Sequence, residues 1–539
     1  MSGVVRKEGE RRGVVILLTQ IQQQHEEEYR MRNSVRFTMM LVFVFSAALV
    51  AFGAPAPQSK TVLNIGVNST VSSLDPALSG NGDPIDIFPE LAYDPLFLRM
   101  PDGSFGPGLA VSWRFVGTEN KVFEFTLRPG VKFSDGEALT AEGVKKHFEY
   151  YGQAGGPFAG RIKEFASIEV TGPLSVRLTL TRSNPDLIFL LCQRQVTGSI
   201  ISPRGIANPK ALGTMTAGAG PYMIEPKETV TDQKYTYVPN PYYWDKKAIH
   251  WKKIVVKVIP DPNATLSALL SGQLDYAFGS PRTAAAAAKA GFQVQTAPYI
   301  LAQVQIMDRN GVITPAMGDV RVRQALNYAI DRKAVAAALF GDYGAPNWQA
   351  ALPGEDLWSD SLSTYYPYDP EKAKKLLAEA GYAQGLEIPM IAFNLQPGQT
   401  DAAAAIASEW AKVGVGTQIT VPVSFADYVG RYSKFPTMMF FYGFGSAQLK
   451  GSEWFGTGYA NPLGVNDKTI DDLYAQGLAE PDTAKRTAIW VQMHKRLLDL
   501  AWMVPFAAQS KIVYVRPGLK GVDLGPTNLD PHPVRFYAP

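Results

Sequence analysis

From Val122 to Arg128 the chain alternates: Phe123, Phe125 and Leu127 fall on one side, and Val122, Glu124, Thr126 and Arg128 on the other. A period of two predicts a half-buried strand. Pro129-Gly130 breaks it, Val131-Lys132-Phe133 predicts a second short strand, and Ser134-Asp135-Gly136 a turn. Thr140 stands where an N-cap belongs, Glu142 falls in the first turn, and Val144, Phe148 and Tyr151 share one helical face. The same reading predicts strands at 62–67, 168–170, 176–180, 235–238, 254–259, 274–277, 417–423, 438–442 and 512–515. Helices are predicted at 263–271, 284–288, 332–339, 402–413, 425–434 and 482–500, and Pro185 opens an apolar one through Cys192. Val322, Leu326, Ala329 and Ile330 mark a further apolar face. Asp369, Pro370 and Gly381 supply N-cap, N1 proline and C′ glycine around a stripe of Ala373, Leu376, Leu377 and Ala380. Strands alternating with helices make this an α/β chain.

The apolar run 39–50 does not fit that alternation. Arg32 and Arg36 precede it and Ala51-Phe52-Gly53 follows, so 31–53 reads as a secretory signal peptide cleaved after Gly53. The run is shorter than the ~20 residues that span a bilayer, and no cysteine follows it to carry a lipid. Residues 1–30 are largely polar, with Glu26-Glu27-Glu28 shortly before Met31. We read Met31 as the start and 1–30 as a spurious upstream extension, its glutamate codons being purine-rich like a ribosome-binding site. Peptides from 1–30 in mass-mapped precursor would refute that.

Cleavage leaves about 486 residues with a net charge near +1. That length suits two or three domains, and the charge offers no case for nucleic acid or a membrane surface. Cys192, the single cysteine, follows the apolar run 187–191 and reads as a buried thiol rather than a nucleophile. The Gly- and Pro-rich stretch 202–221 marks a boundary between lobes.

Catalytic patterns are absent from the sequence. None of the histidines at 25, 147, 250, 494 and 532 stands in a metal-ligand spacing, and His25-Glu26 lacks the second His of H-E-x-x-H. There is no G-x-x-x-x-G-K-[ST] phosphate loop. Gly218-Ala219-Gly220 lacks the third glycine of a dinucleotide fingerprint, and Pro221 interrupts the helix start. Gly443-Phe444-Gly445-Ser446 does not centre its serine as G-x-S-x-G does. No enzyme activity, cofactor or resident metal is expected.

Gly108-Leu109-Ala110-Val111-Ser112-Trp113, then Phe123 through Gly136 and Leu139-Thr140-Ala141-Glu142-Gly143-Val144, resembles the signature of family 5 extracellular solute-binding proteins. These are the dipeptide-, oligopeptide- and nickel-binding subunits of ABC importers. Further blocks are similar and in family order: Leu74-Asp75-Pro76, Gly218 to Tyr222, Asn240-Pro241-Tyr242-Tyr243-Trp244, Leu269 to Asp275, Asp319 to Arg332, and Tyr368 to Tyr382. The resemblance covers about 61–525. It implies a two-lobed periplasmic-binding-protein clamp (type II, cluster C-like) with an inserted subdomain. Lobe I would be 59–86, 213–300 and 508–539, the inserted subdomain 87–212, and lobe III 301–507, with crossovers near Ile300 and Gln509. Its function would be periplasmic capture of a small solute, peptide or peptide-like, by hinge closure. A monomer would then hand that solute to permease subunits driven by a separate ATPase. A periplasmic chaperone or receptor partner, and a secreted hydrolase, are the alternatives.

In peptide-binding relatives an Asp in the loop after a lobe III strand pairs with the peptide α-amine. The corresponding segment here, Gly443 to Gln448, holds no acid, and Thr70 stands where oligopeptide binders tend to carry one. A buried ammonium without a carboxylate is costly, which argues against peptide binding through that ion pair. No histidine in the loop argues against a bare nickel ion. The candidate cleft residues are Thr70, Ser72, Tyr442, Phe444, Ser446 and Trp454.

Overall fold

The computed structural model describes residues 60–80, 85–100, 102–393, 398–443, 445–454, 460–524 and 532–538. The predicted signal and the extension before it, 1–53, lie outside them. Thr61–Pro539 forms a compact unit built on one long mixed sheet. From one edge its strands run Ile419–Thr420, Met390–Ile391, Thr437–Gly443, Gln293–Ile306, Met503–Val515, Tyr276–Phe278, Val62–Val67, Lys253–Val258, Lys234–Pro239 and Tyr222–Ile224. Gly344–Pro346 pairs beside Met503–Val515. Val62–Val67 runs parallel to both neighbours, with Leu63 and Ile65 fully buried, as a central strand requires.

Gln293–Ile306 and Met503–Val515 are the longest strands, at 14 and 13 residues, and pair antiparallel through 12 register positions. Their register slips at Pro298/Ile300 and at Ala302/Gln303. This ribbon carries the sheet from one core to another. On one side Leu63, Ile65, Tyr222, Ile254 and Val513 share a core, joined by Ile87, Phe88 and Tyr93. On the other, Ala302, Val304 and Ile306 pack under Val322, Leu326 and Trp410. Each fully buried side chain of this size contributes about 1.5–3 kcal/mol against exposure. A third core lies in the four-stranded antiparallel sheet Ala110–Val116, Val122–Leu127, Ser175–Leu180, Phe165–Gly172.

Phe123, Phe125 and Leu127 face that third core, and Thr140 Oγ1 accepts from Gly143 N at 3.1 Å to start the helix Ala141–Gln153. Three expectations change. Val131-Lys132-Phe133 is not a strand: the chain turns back at once, leaving a single Lys132–Ala138 bridge and Phe133 N–H on Glu137 O at 2.8 Å. The helix expected through Cys192 is only Leu187–Leu190, because Gln193 leaves it to exchange hydrogen bonds of 2.8 and 3.2 Å with the Arg99 backbone. The strand expected at 417–423 shrinks to Ile419–Thr420 at the sheet edge, where Val421 and Val423 stand 55% and 93% exposed. The glycines of 217–221 have a steric purpose. A Cβ on Gly218 would fall 2.2 Å from Ala92 O, and one on Gly220 2.4 Å from Ala92 C.

Candidate functional site

The six candidate residues divide into two groups, with Phe444 outside the described residues. Thr70 and Ser72 lie in the loop after Val62–Val67, and they line a pocket of about 420 Å³. Its other wall is the turn of the hairpin joining Tyr222–Ile224 to Lys234–Pro239, including Thr231, Asp232 and Tyr235. Ile259 N–H donates to Val67 O at 2.7 Å, and Val258 N–H to Gln233 O at 2.8 Å. The pocket therefore sits at the carboxyl ends of the parallel strands Val62–Val67 and Lys253–Val258, where open α/β sheets offer ligands a crevice. Asp75 fixes the loop: its carboxylate accepts from Ala77 N at 2.8 Å and from Tyr150 OH at 2.5 Å. Burial pushes its pKa up, and the Tyr150 hydrogen bond opposes that.

Tyr442, Ser446 and Trp454 gather around a buried ion pair that sequence reading missed. Tyr442 ends the buried strand Thr437–Gly443, and Ser446 caps the helix Ala447–Trp454 by accepting from Leu449 N at 3.2 Å. Lys450, on that helix, is fully buried and paired with the equally buried Glu355. Its Nζ lies 5.4 Å from the Tyr442 ring centre and 5.6 Å from that of Trp454, which is itself wholly buried. Glu355 also accepts from Gly445 N at 2.7 Å, and Asp356 Oδ1 from Ala447 N at 2.7 Å. Asp186 approaches from the other side, taking the Ser446 hydroxyl while its own N–H donates to Gln448 Oε1 at 3.4 Å. Burial raises the pKa of Glu355 and of Asp186; Asp356 is raised to about 7 by burial and then by Asp186. The segment Gly443 to Gln448 holds no acid of its own, yet three carboxylates from distant positions converge on it.

Nothing local announced this convergence. Glu355-Asp356 stands in a Pro-Gly turn between Leu352 and Leu357, and that flanking by buried leucines is the only trace. Asp232 had no signal beyond its turn. Among the described residues no group of three or more His, Cys, Asp or Glu side chains is arranged to hold a metal ion. No described helix is long and apolar enough to cross a membrane.

The family described as bacterial extracellular solute-binding proteins, family 5 Middle, matches residues 104–462. Heme-binding protein A of Haemophilus influenzae is 27% identical over 472 residues, covering 79% of this chain and 82% of its own. Glutathione-binding protein GsiB of Salmonella paratyphi A is 26% identical over 475 residues, covering 85% of this chain and 89% of its own. Among solved structures, the binding protein AgaA from A. tumefaciens R10, in complex with agropinic acid, superposes with a TM-score of 0.71 at 26% identity. It covers 88% of this chain and 97% of its own. The fold is the two-lobed, type II periplasmic-binding-protein clamp, and the relatives are named as binding proteins rather than enzymes. The chain belongs to the family 5 bacterial extracellular solute-binding proteins, substrate-binding subunits of ABC importers.

Proposed function

We propose that this chain captures a small solute of the peptide or peptide-like class in the periplasm and delivers it to an ABC permease. It works as a monomer, without covalent chemistry, after removal of residues 31–53 as a signal peptide. Lobe I comprises 59–86, 213–300 and 508–539, the inserted subdomain 87–212, and lobe III 301–507. The observation that carries this reading is the two-strand ribbon Gln293–Ile306 and Met503–Val515. It links two separate cores, with a polar pocket beside one and the Tyr442–Trp454 group beside the other. A solute touching both sides binds only the closed clamp, and so shifts the population toward it. The slipped register at Pro298/Ile300 is where such a ribbon bends most readily. The glutathione-binding relative supports the peptide-like class.

The test uses purified chain from residue 54 in a thermal-shift screen of dipeptides, tripeptides, glutathione, opines, sugars and metal chelates, with small-angle scattering on the hits. At least one solute should raise the melting temperature and reduce the radius of gyration. A panel with no shift and no compaction would overturn the reading.

A further inference from the structure

The pocket at the carboxyl ends of Val62–Val67 and Lys253–Val258 has an unusual charge pattern. Its lining includes several hydroxyls, among them Thr70, Ser72, Thr214 and Thr231, and no Lys, Arg or His. One carboxylate faces it, that of Asp232. This residue is held in place: its backbone sits in the left-handed region at φ 64°, and its N–H donates to Tyr235 OH at 3.1 Å. The same phenol lies 2.9 Å from Thr70 Oγ1, so a short chain of hydrogen bonds ties both walls of the pocket together. Tyr235 is buried, which fixes the chain's centre. No hydrogen bond or ion pair from a described residue reaches the Asp232 carboxylate, which stands exposed at the turn.

We propose that this pocket is the subsite that receives a cationic group of the solute, an ammonium or a guanidinium, with Asp232 as its counter-charge. This rests on the solute-binding reading above and narrows it to solutes that carry a positive charge. Thr70 and Thr231 accept the remaining N–H donors. A neutral solute would leave Asp232 unanswered, and an anionic one would meet it with no lining cation to offset the repulsion. A charge-assisted hydrogen bond here is worth roughly ten- to hundredfold in affinity.

Asp232→Asn tests this without disturbing the backbone, because Asn is as comfortable as Asp in the left-handed region. The probes are two matched pairs with the other termini blocked, so that one member is a cation and its partner is neutral: N-acetylarginine amide with N-acetylcitrulline amide, and alanylalanine amide with its N-acetyl derivative. Calorimetric titration of the wild type should favour the cationic member of at least one pair by tenfold or more. Asp232→Asn should abolish that preference while leaving the neutral partner's affinity and the ligand-free melting temperature unchanged. Equal affinity within both pairs in the wild type, or a preference that survives the substitution, overturns the proposal. If an uncharged solute binds and compacts the protein while no cationic probe does, the clamp reading stands and this inference alone fails. If none of these probes binds while a solute of the wider panel does, this inference again fails alone; if nothing in either set binds, both fall.

Discussion

The Lys450 side chain is wholly buried, and it is tolerated there because Glu355 answers its charge. Removing one partner strands the other. Lys450→Met should cost about 3–5 kcal/mol in urea unfolding. The pair Lys450→Met with Glu355→Gln should cost clearly less, since no charge is left buried without its partner, although the single amide oxygen of Gln keeps only one of the Gly445 N and Leu352 N donors. Equal losses would show that packing, not charge, holds this region. His494 gives a second measurement. Burial lowers its pKa to about 4, with Ala350 N–H on Nε2 at 3.0 Å and Leu357 O within 2.8 Å of Nδ1. An unfolded histidine titrates near 6.5, so between the two values the unfolded chain holds the extra proton. The contribution of His494 is full above about pH 6.5 and is lost as pH falls toward 4. Asp94 and Asp356, both raised to about 7 by burial, act with the opposite sign, so a difference experiment is needed. The stability advantage of wild type over His494→Gln should shrink by ~1.4 kcal/mol per pH unit below 6.5. A constant gap would refute this. At this scale the sequence made core faces legible, since Phe123 and Val144 need only their neighbours to be read. It hid the acids around Ser446, which come from 186, 355 and 356 and meet it only through the fold.

Elements with local punctuation were readable and those without it were not. The helix Pro370–Glu379 starts as read, with Asp369 accepting from Lys372 N at 2.9 Å and Pro370 at its first position. Asp369→Ala should cost about 1 kcal/mol, a loss that Asp369→Ser largely restores. The 14-residue strand Gln293–Ile306 is missing from the sequence reading: Pro298 interrupts it, and the alternation from Ala302 to Ile306 is only five residues long, with Gln303 and Gln305 as buried as the apolar residues between them. The helix Ala447–Trp454 is absent from the sequence reading, which has only a loop over 443–448; its interior Gly451 argues against helix. Gly451 is there for packing: a Cβ would lie 2.4 Å from Tyr474 Cε2, on the neighbouring helix Lys468–Ala479. Gly451→Ala should therefore destabilise the protein, although alanine is the better helix former. A neutral or stabilised variant would show that the two helices separate at little cost.

Closure, as proposed, is a property of the whole molecule, and contacts of the four-stranded sheet that begins at Ala110–Val116 bear on it. Asn120, in the turn between Ala110–Val116 and Val122–Leu127, donates Nδ2 to Leu478 O at 3.1 Å and Glu480 O at 3.3 Å, capping the helix Lys468–Ala479. Asp186, just before Leu187–Leu190, meets Ser446 and Gln448 in the same region. A sheet that identified the family without showing any chemistry thus touches the side of the molecule where Tyr442 and Trp454 lie. If the lobes separate in the open clamp as proposed, these contacts exist only when it is shut, and their free energy adds to that of the solute in holding it closed. Asn120 has φ 51°, so Asn120→Gly removes the side-chain cap without straining the backbone. Two hydrogen bonds of ordinary strength are worth about 1–2 kcal/mol together. Solute affinity should fall roughly five- to thirtyfold, through faster dissociation with little change in association rate. Ligand-free stability should hardly move, because the open form never made the contact. A drop in ligand-free melting temperature with unchanged affinity would mean that this sheet and the Lys468–Ala479 helix travel together, and that closure happens elsewhere.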